Sequence, residues 1–142
     1  MGRIYELTPR KVNTLVDKDW FAQDCGIRIV ETTDHYSCTE MTVESRHLNG
    51  AGVCQGGALF TMADLAMASV VNRNYTSPTD DGVGLSVNTQ ITFLHPAALG
   101  DRLRAECKLI KDGRLPLLET RISNQQGQLI ASLTGQFYRS KR

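Results

Sequence analysis

One carboxylate, Asp64, stands inside the most apolar run of the chain, residues 58–72, and is the only charge in it. An ionised carboxylate among apolar side chains is costly unless something compensates it, and burial raises its pKa toward the range useful to a general base or nucleophile. The competing structural reading is a carboxylate that caps a neighbouring loop or pairs with a cation such as Arg73. Just upstream, Gln55-Gly56-Gly57 puts two residues without side chains where a helix would begin. Bare backbone N–H groups at that positive dipole end can meet an incoming oxygen, which is the layout of an oxyanion hole. Glycine also serves tight turns and close packing. Asn49 precedes this loop, and its amide either holds a substrate group or bonds the loop backbone as an Asx turn. Ser86, Asn88 and Gln90 alternate with Leu85, Val87 and Ile91, so regular pleating sets them on one face, solvated or positioning a water or substrate. Cys54, beside Gln55, is a thiol with no His in an arguable neighbouring position.

These groups need elements to hold them. Residues 58–72 are good helix formers, apolar on every side, and predict a helix of about 22 Å that must be buried nearly all round. One sheet face cannot cover such a helix, so self-association is expected. Strand patterns run over 27–31, 36–43, 85–93, 102–111, 117–123 and 129–138, with hairpin turns at 111–114 and 124–127. Thr8-Pro9 opens a helical pattern, and an amphipathic N-terminal helix is predicted over about 9–22. The sum is an α+β domain in which one apolar helix sits against an antiparallel sheet of five to six strands.

Composition narrows the function. The chain has 142 residues, 41% hydrophobic and 22% charged, which predicts a single domain over 1–142 with a core over about 26–138. Sixteen Lys plus Arg against fifteen Asp plus Glu leave a charge of +1, a poor basis for binding nucleic acid. No stretch is long and apolar enough for a membrane span and no signal-peptide core opens the chain, so a cytoplasmic location is expected. Four Cys without a C-x-x-C pair and three scattered His signal neither a metal site nor a disulfide framework. Gln55 breaks any dinucleotide-binding glycine pattern, and no phosphate-binding lysine follows Gly56-Gly57.

The run from His47 to Asp64, with Asn49, Gly56-Gly57 and an acidic residue eight positions after Gly56, resembles the signature of hotdog-fold acyl-CoA thioesterases of the phenylacetic acid degradation type. The likeness continues through Leu85-Ser86-Val87-Asn88, through residues 91–97, and through Gly100-Asp101-Arg102-Leu103. The resemblance implies a hotdog fold, a central helix wrapped by a curved antiparallel sheet, in an obligate dimer that commonly pairs into a homotetramer with active sites shared between subunits. It implies hydrolysis of an acyl- or aryl-CoA thioester to free acid and CoA, with no metal and no cofactor beyond the coenzyme A of the substrate. Carried over, Asp64 is the general base or nucleophile, Gly56 the backbone amide that polarises the carbonyl, Asn49 an aid in placing carbonyl or water, and Ser86 the holder of the attacking water from the partner side. Many relatives have His where this chain has Gln55, and Gln can donate a hydrogen bond but cannot take a proton, which leaves it a carbonyl-binding role. The alternative is a non-catalytic hotdog acyl-CoA-binding or regulatory protein. A hotdog dehydratase expects a catalytic His, and Gln55 argues against it.

Overall fold

The periodic runs become strands and the apolar run becomes the helix they enclose. The computed structural model describes residues 13–76 and 82–140. In chain order these hold a short helix α1 (Trp20–Asp24), the strands β1 (Arg28–Thr32) and β2 (Tyr36–Thr42), the long helix α2 (Gly56–Val71), and then β3 (Gly84–Phe93), β4 (Arg102–Lys111), β5 (Leu117–Ser123) and β6 (Leu129–Arg139). The strands form one six-stranded sheet in the order β1-β2-β4-β5-β6-β3, every pair antiparallel. β1 and β3 are its edges. Among the described residues, no helix is long and apolar enough to cross a membrane.

Register explains the core. Thr39, Ala105, Ile122, Ala131 and Phe93 lie in one cross-strand row, and Ser37, Cys107, Thr120, Leu133 and Ile91 in the next. Their side chains share the face that meets α2, because paired residues point the same way. Two of the three hydroxyls among them find acceptors on the helix backbone: Ser37 Oγ donates to the Ala66 carbonyl at 2.5 Å and Thr39 Oγ1 to that of Met62 at 2.7 Å. Ser37 and Thr39 are thus buried against α2 without losing their hydrogen bonds.

The C-terminal end of α2 is clamped by cations, as the helix dipole favours. Arg139 donates to the Val71 carbonyl through Nε at 3.1 Å and Nη2 at 3.0 Å, and Arg73 Nη1 donates to that of Val70 at 2.8 Å. Asp112, in the β4–β5 turn, accepts from both guanidiniums, and the Arg139 bond chiefly holds its carboxyl far below the usual carboxylate range.

Three expectations are corrected. The N-terminal helix predicted over about 9–22 is not continuous in its described part, where a 3-10 turn at Val16–Lys18 ends before α1 begins at Trp20, while residues 9–12 lie outside the described residues. Local caps cut the run: Asn13 Oδ1 accepts from the Leu15 and Val16 amides, and Asp19 Oδ1 accepts from the Ala22 amide at 3.0 Å as the N-cap of α1. Trp20 and Phe21 consequently face outward, 63% and 67% exposed.

The helix α2 is also not buried all round. Leu59, Met62, Ala63, Leu65, Ala66, Met67 and Val70 are buried, but Gly57 is exposed and Thr61, Asp64 and Ala68 are half-buried. Spaced at i, i+4, i+7 and i+11, they form a single stripe that the chain's own sheet leaves open.

Third, Ser86, Asn88 and Gln90 do not share a face. A bulge at Val87 pairs Ser86 with Phe137 but Asn88 with Gln136. The inserted residue inverts the pleat, so Ser86 turns to the helix side with Thr89, whose Oγ1 lies 3.1 Å from Ser86 Oγ, while Asn88 and Gln90 stay on the outer side.

Candidate active site

The site begins where α2 begins. Gln55 is the N-cap, extended at φ −65° and ψ 139°, and its carbonyl accepts from the Ala58 and Leu59 amides at 3.0 and 3.4 Å. The amides of Gly56 and Gly57 have no acceptor among the described residues, and no side chain caps them. These are the orphan donors that every helix start carries, here left open at the positive dipole end.

Both glycines are also closely packed. A Cβ on Gly56 would lie 2.7 Å from Phe93 Cζ, and one on Gly57 would lie 2.6 Å from Gln55 Oε1. A Phe ring from the edge strand β3 thus rests against the first residue of α2, and the Gln55 side chain folds over the second. The pair of glycines has a chemical reading and a packing reading, and the two coincide.

His47 connects the segments around this turn. Its Nδ1 accepts from the Glu44 amide at 2.9 Å, so Nε2 carries the proton and donates to the Cys25 carbonyl at 2.7 Å. Its own carbonyl accepts from the Gln55 amide at 2.7 Å. The ring is buried, and its contacts tie the end of α1 to the start of α2.

Asp64 lies two turns further along, on the open stripe. Among the described residues its carboxylate has no hydrogen-bond or ion-pair partner; the suggested Arg73 pairs instead with Asp112 at 3.1 Å and Asp34 at 3.5 Å. Burial pushes the Asp64 carboxyl up from the usual carboxylate range, and the negative charge of Asp19 pushes it further. An uncompensated, half-buried carboxyl with a raised pKa is chemically able to act as a proton acceptor or nucleophile.

The remaining candidates divide. Asn49 Oδ1 accepts from the Ala51 amide at 2.9 Å and the Val53 amide at 3.2 Å, so the Asx-turn use occupies its oxygen in holding the loop. Burial pushes the Cys54 thiol up to about 11, which leaves no thiolate near neutral pH. Ser86 faces the helix but stands near its far end, two residues after Gly84, whose amide donates to Asn72 Oδ1 at 2.8 Å. One chain therefore brings Gln55, Gly56 and Phe93 together, with Asp64 further along the helix and Ser86 beyond it. A groove of about 570 Å³ bordered by Arg28, Glu40, Arg102 and Arg104 lies away from this site, on the other side of the sheet.

Three residues around the site were not singled out as candidates from the sequence, although His47 opens the run that resembles the thioesterase signature and Phe93 lies in its continuation over 91–97. Asp19 stands 45 positions before Asp64, His47 looked isolated from the other His residues, and Phe93 was one apolar member of a strand pattern. For Phe93 there was a further hint, since a residue without a side chain at Gly56 leaves room for a ring.

Residues 51–131 match the thioesterase superfamily. A protein of Archaeoglobus fulgidus is 36% identical over 115 residues, 79% of this chain and 70% of that one. The acyl-coenzyme A thioesterase PaaI of Escherichia coli is 28% identical over 131 residues, 92% of this chain and 89% of that one. The solved structure of E. coli PaaI superposes with a TM-score of 0.78 at 29% identity, over 89% of this chain and 88% of that one. A thioesterase protein of Streptococcus pneumoniae solved with coenzyme A shares the fold, with a TM-score of 0.72 at 23% identity over 82% of this chain and 90% of that one. A six-stranded antiparallel sheet around one long helix, the match across residues 51–131 and the relatives it aligns with place this chain in the thioesterase superfamily, with the hotdog fold.

Proposed function

We propose that the protein is an acyl-CoA thioesterase, hydrolysing an acyl- or aryl-CoA to the free acid and CoA without metal or cofactor. One observation carries the reading: the helix that opens with two unsatisfied amides, at Gly56 and Gly57, carries an unpaired, half-buried carboxylate on its open stripe. The Gly56 N–H donates to the thioester oxygen and holds the negative charge that gathers there as the carbonyl is attacked. Asp64 either takes the proton of an attacking water or attacks the carbonyl itself, forming an acyl-aspartyl anhydride that water then cleaves; in both routes the C–S bond breaks and CoA leaves as the thiolate. Gln55 adds a side-chain amide donor for the carbonyl, Asn49 holds the loop in front of it, and Ser86 orients the water.

The working unit in this reading is a dimer or a dimer of dimers. Gly56 and Asp64 of one chain stand too far apart for one carbonyl, whereas a second copy against the open stripe and the β3 edge brings the two groups together from different chains. Leu85, Val87 and Phe93 on that edge are 68%, 59% and 55% exposed, an apolar surface suited to burial against a second copy.

The test is thiol release from a panel of acyl- and aryl-CoA thioesters by the parent protein and by Asp64→Asn. Hydrolysis by the parent and its loss in the variant are expected. No release from any thioester, with coenzyme A still bound, would make the protein a binding or regulatory member of the superfamily.

A further inference from the structure

Alongside the first turns of α2 runs a cleft of about 380 Å³, within the span of about 300–1,000 Å³ usual for small-molecule sites. Its far wall is α1. Phe21 and Cys25 from that side face Leu48, Ala58 and Thr61, so the lining is mostly apolar. Arg46 borders the cleft, but its guanidinium is engaged by Glu44 at 2.8 Å and by the Asp24 carbonyl, which leaves no free charge there to hold an ionic group.

The direction of the cleft gives it meaning. Gly57 and Thr61 in its lining belong to the open stripe of α2 that reaches Asp64 one turn later. The N-terminal end of α1 follows the same line: Phe21 lines the cleft with Gly57 and Thr61, and Asp19, the N-cap, lies close enough to Asp64 for its charge to act there. A phenyl ring 67% exposed to water beside such a cleft is poorly used until something apolar covers it.

Resting on the thioesterase reading, we propose that this cleft receives the acyl group, that it favours an apolar aliphatic or aryl chain over a very short or a charged one, and that Phe21 sets how far the chain extends. Each methylene buried there adds about fourfold to affinity. Trp20, the next residue on α1, is 63% exposed and outside the lining, which makes it the control.

The experiment compares kcat/KM for acetyl-, succinyl-, hexanoyl-, phenylacetyl- and dodecanoyl-CoA in the full-length parent, Phe21→Ala, Phe21→Trp and Trp20→Ala. The parent is expected to prefer hexanoyl or phenylacetyl over acetyl and succinyl by tenfold or more. Phe21→Ala shifts the preference toward dodecanoyl and Phe21→Trp toward shorter chains, each by about tenfold in the ratio, while Trp20→Ala keeps the parent's ratios. A parent that favours acetyl or succinyl, or Phe21 variants with unchanged ratios, overturns the proposal. Calorimetry of S-hexyl-CoA, a thioether that cannot be hydrolysed, against free CoA separates the two readings. If no thioester is cleaved, hydrolysis falls, yet a hexyl tail that tightens binding tenfold or more in the parent and less in Phe21→Ala still supports the cleft. A tail that adds nothing overturns it.

Discussion

Gly56 and Asp64 share one helix but cannot share one ligand atom: eight positions separate them, about 12 Å along the axis and about 80° around it. A hydrogen bond reaches only about 3 Å. In the proposed mechanism the amide and the carboxylate are therefore assigned to two half-sites, each completed by a second copy of the chain. Mass measurement in solution should give two or four times the 15.7 kDa of the chain. Leu85→Asp, on the β3 edge, should produce a folded monomer with little thioesterase activity; an active monomer would refute shared half-sites.

Asp64→Asn keeps size and shape and removes the base. Thioester hydrolysis should fall by two orders of magnitude or more while the thermal midpoint holds or rises at neutral pH. The sign follows from linkage. Burial raises the Asp64 pKa in the folded chain, so the folded state binds the proton more tightly, and stability is lost as pH rises from the usual carboxylate range, near 4, through the raised value. Asn removes that cost, and the gap between variant and parent should close below about pH 4. A lowered midpoint with retained hydrolysis would return Asp64 to a structural role.

Asp19 offers a separate handle on the same carboxyl. In Asp19→Asn the cap to the Ala22 amide survives, because Asn caps as well as Asp, and only the charge goes. The acid limb of the kcat/KM profile, set by ionisation of Asp64, should move to lower pH, with little change in the plateau. An unmoved limb would show that Asp19 is only a cap.

Gln55→Ala should lower kcat about ten- to a thousandfold by removing one donor to the developing oxyanion, and Gln55→His should keep activity, since His can also donate. Steady-state kinetics on one good substrate decide it. Unchanged turnover in Gln55→Ala would leave the Gly56 amide as the working donor and Gln55 as a packing residue over Gly57.

Gly56→Ala drives a methyl group into the Phe93 ring, whose Cζ lies 2.7 Å from the position a Cβ would take. The ring is 55% exposed and can swing aside, so the cost should sit at the low end for overpacking, about 1 kcal/mol. Thermal melts of Gly56→Ala and of Gly56→Ala with Phe93→Leu should show recovery in the double variant. No recovery would mean that something other than the ring resists the methyl group.

Signals confined to a few neighbours in the chain were legible without coordinates. The alternation over 102–111 and 117–123 matches β4 and β5 residue for residue, and the apolar run over 58–72 lies within two residues of α2 at its start and one at its end, because pleat and helical periods are local. Asp64 was legible for the same reason: a lone carboxylate in an apolar run is an anomaly wherever the run ends up. Contacts between distant segments were not. The bulge at Val87 that turns Ser86 toward the helix arises from pairing with β6, and a one-residue insertion leaves no trace in an alternating pattern. Asn13 and Asp19 carry cap-forming side chains, but choosing them over a continuous helix from residue 9 depends on what the segment packs against. The nearness of Asp19 to Asp64, of Phe93 to Gly56 and of Phe21 to Thr61 depends on how α1 and β3 pack around α2. Packing joins residues without regard to their order in the chain, which is why the candidate groups could be named from the sequence and their surroundings could not.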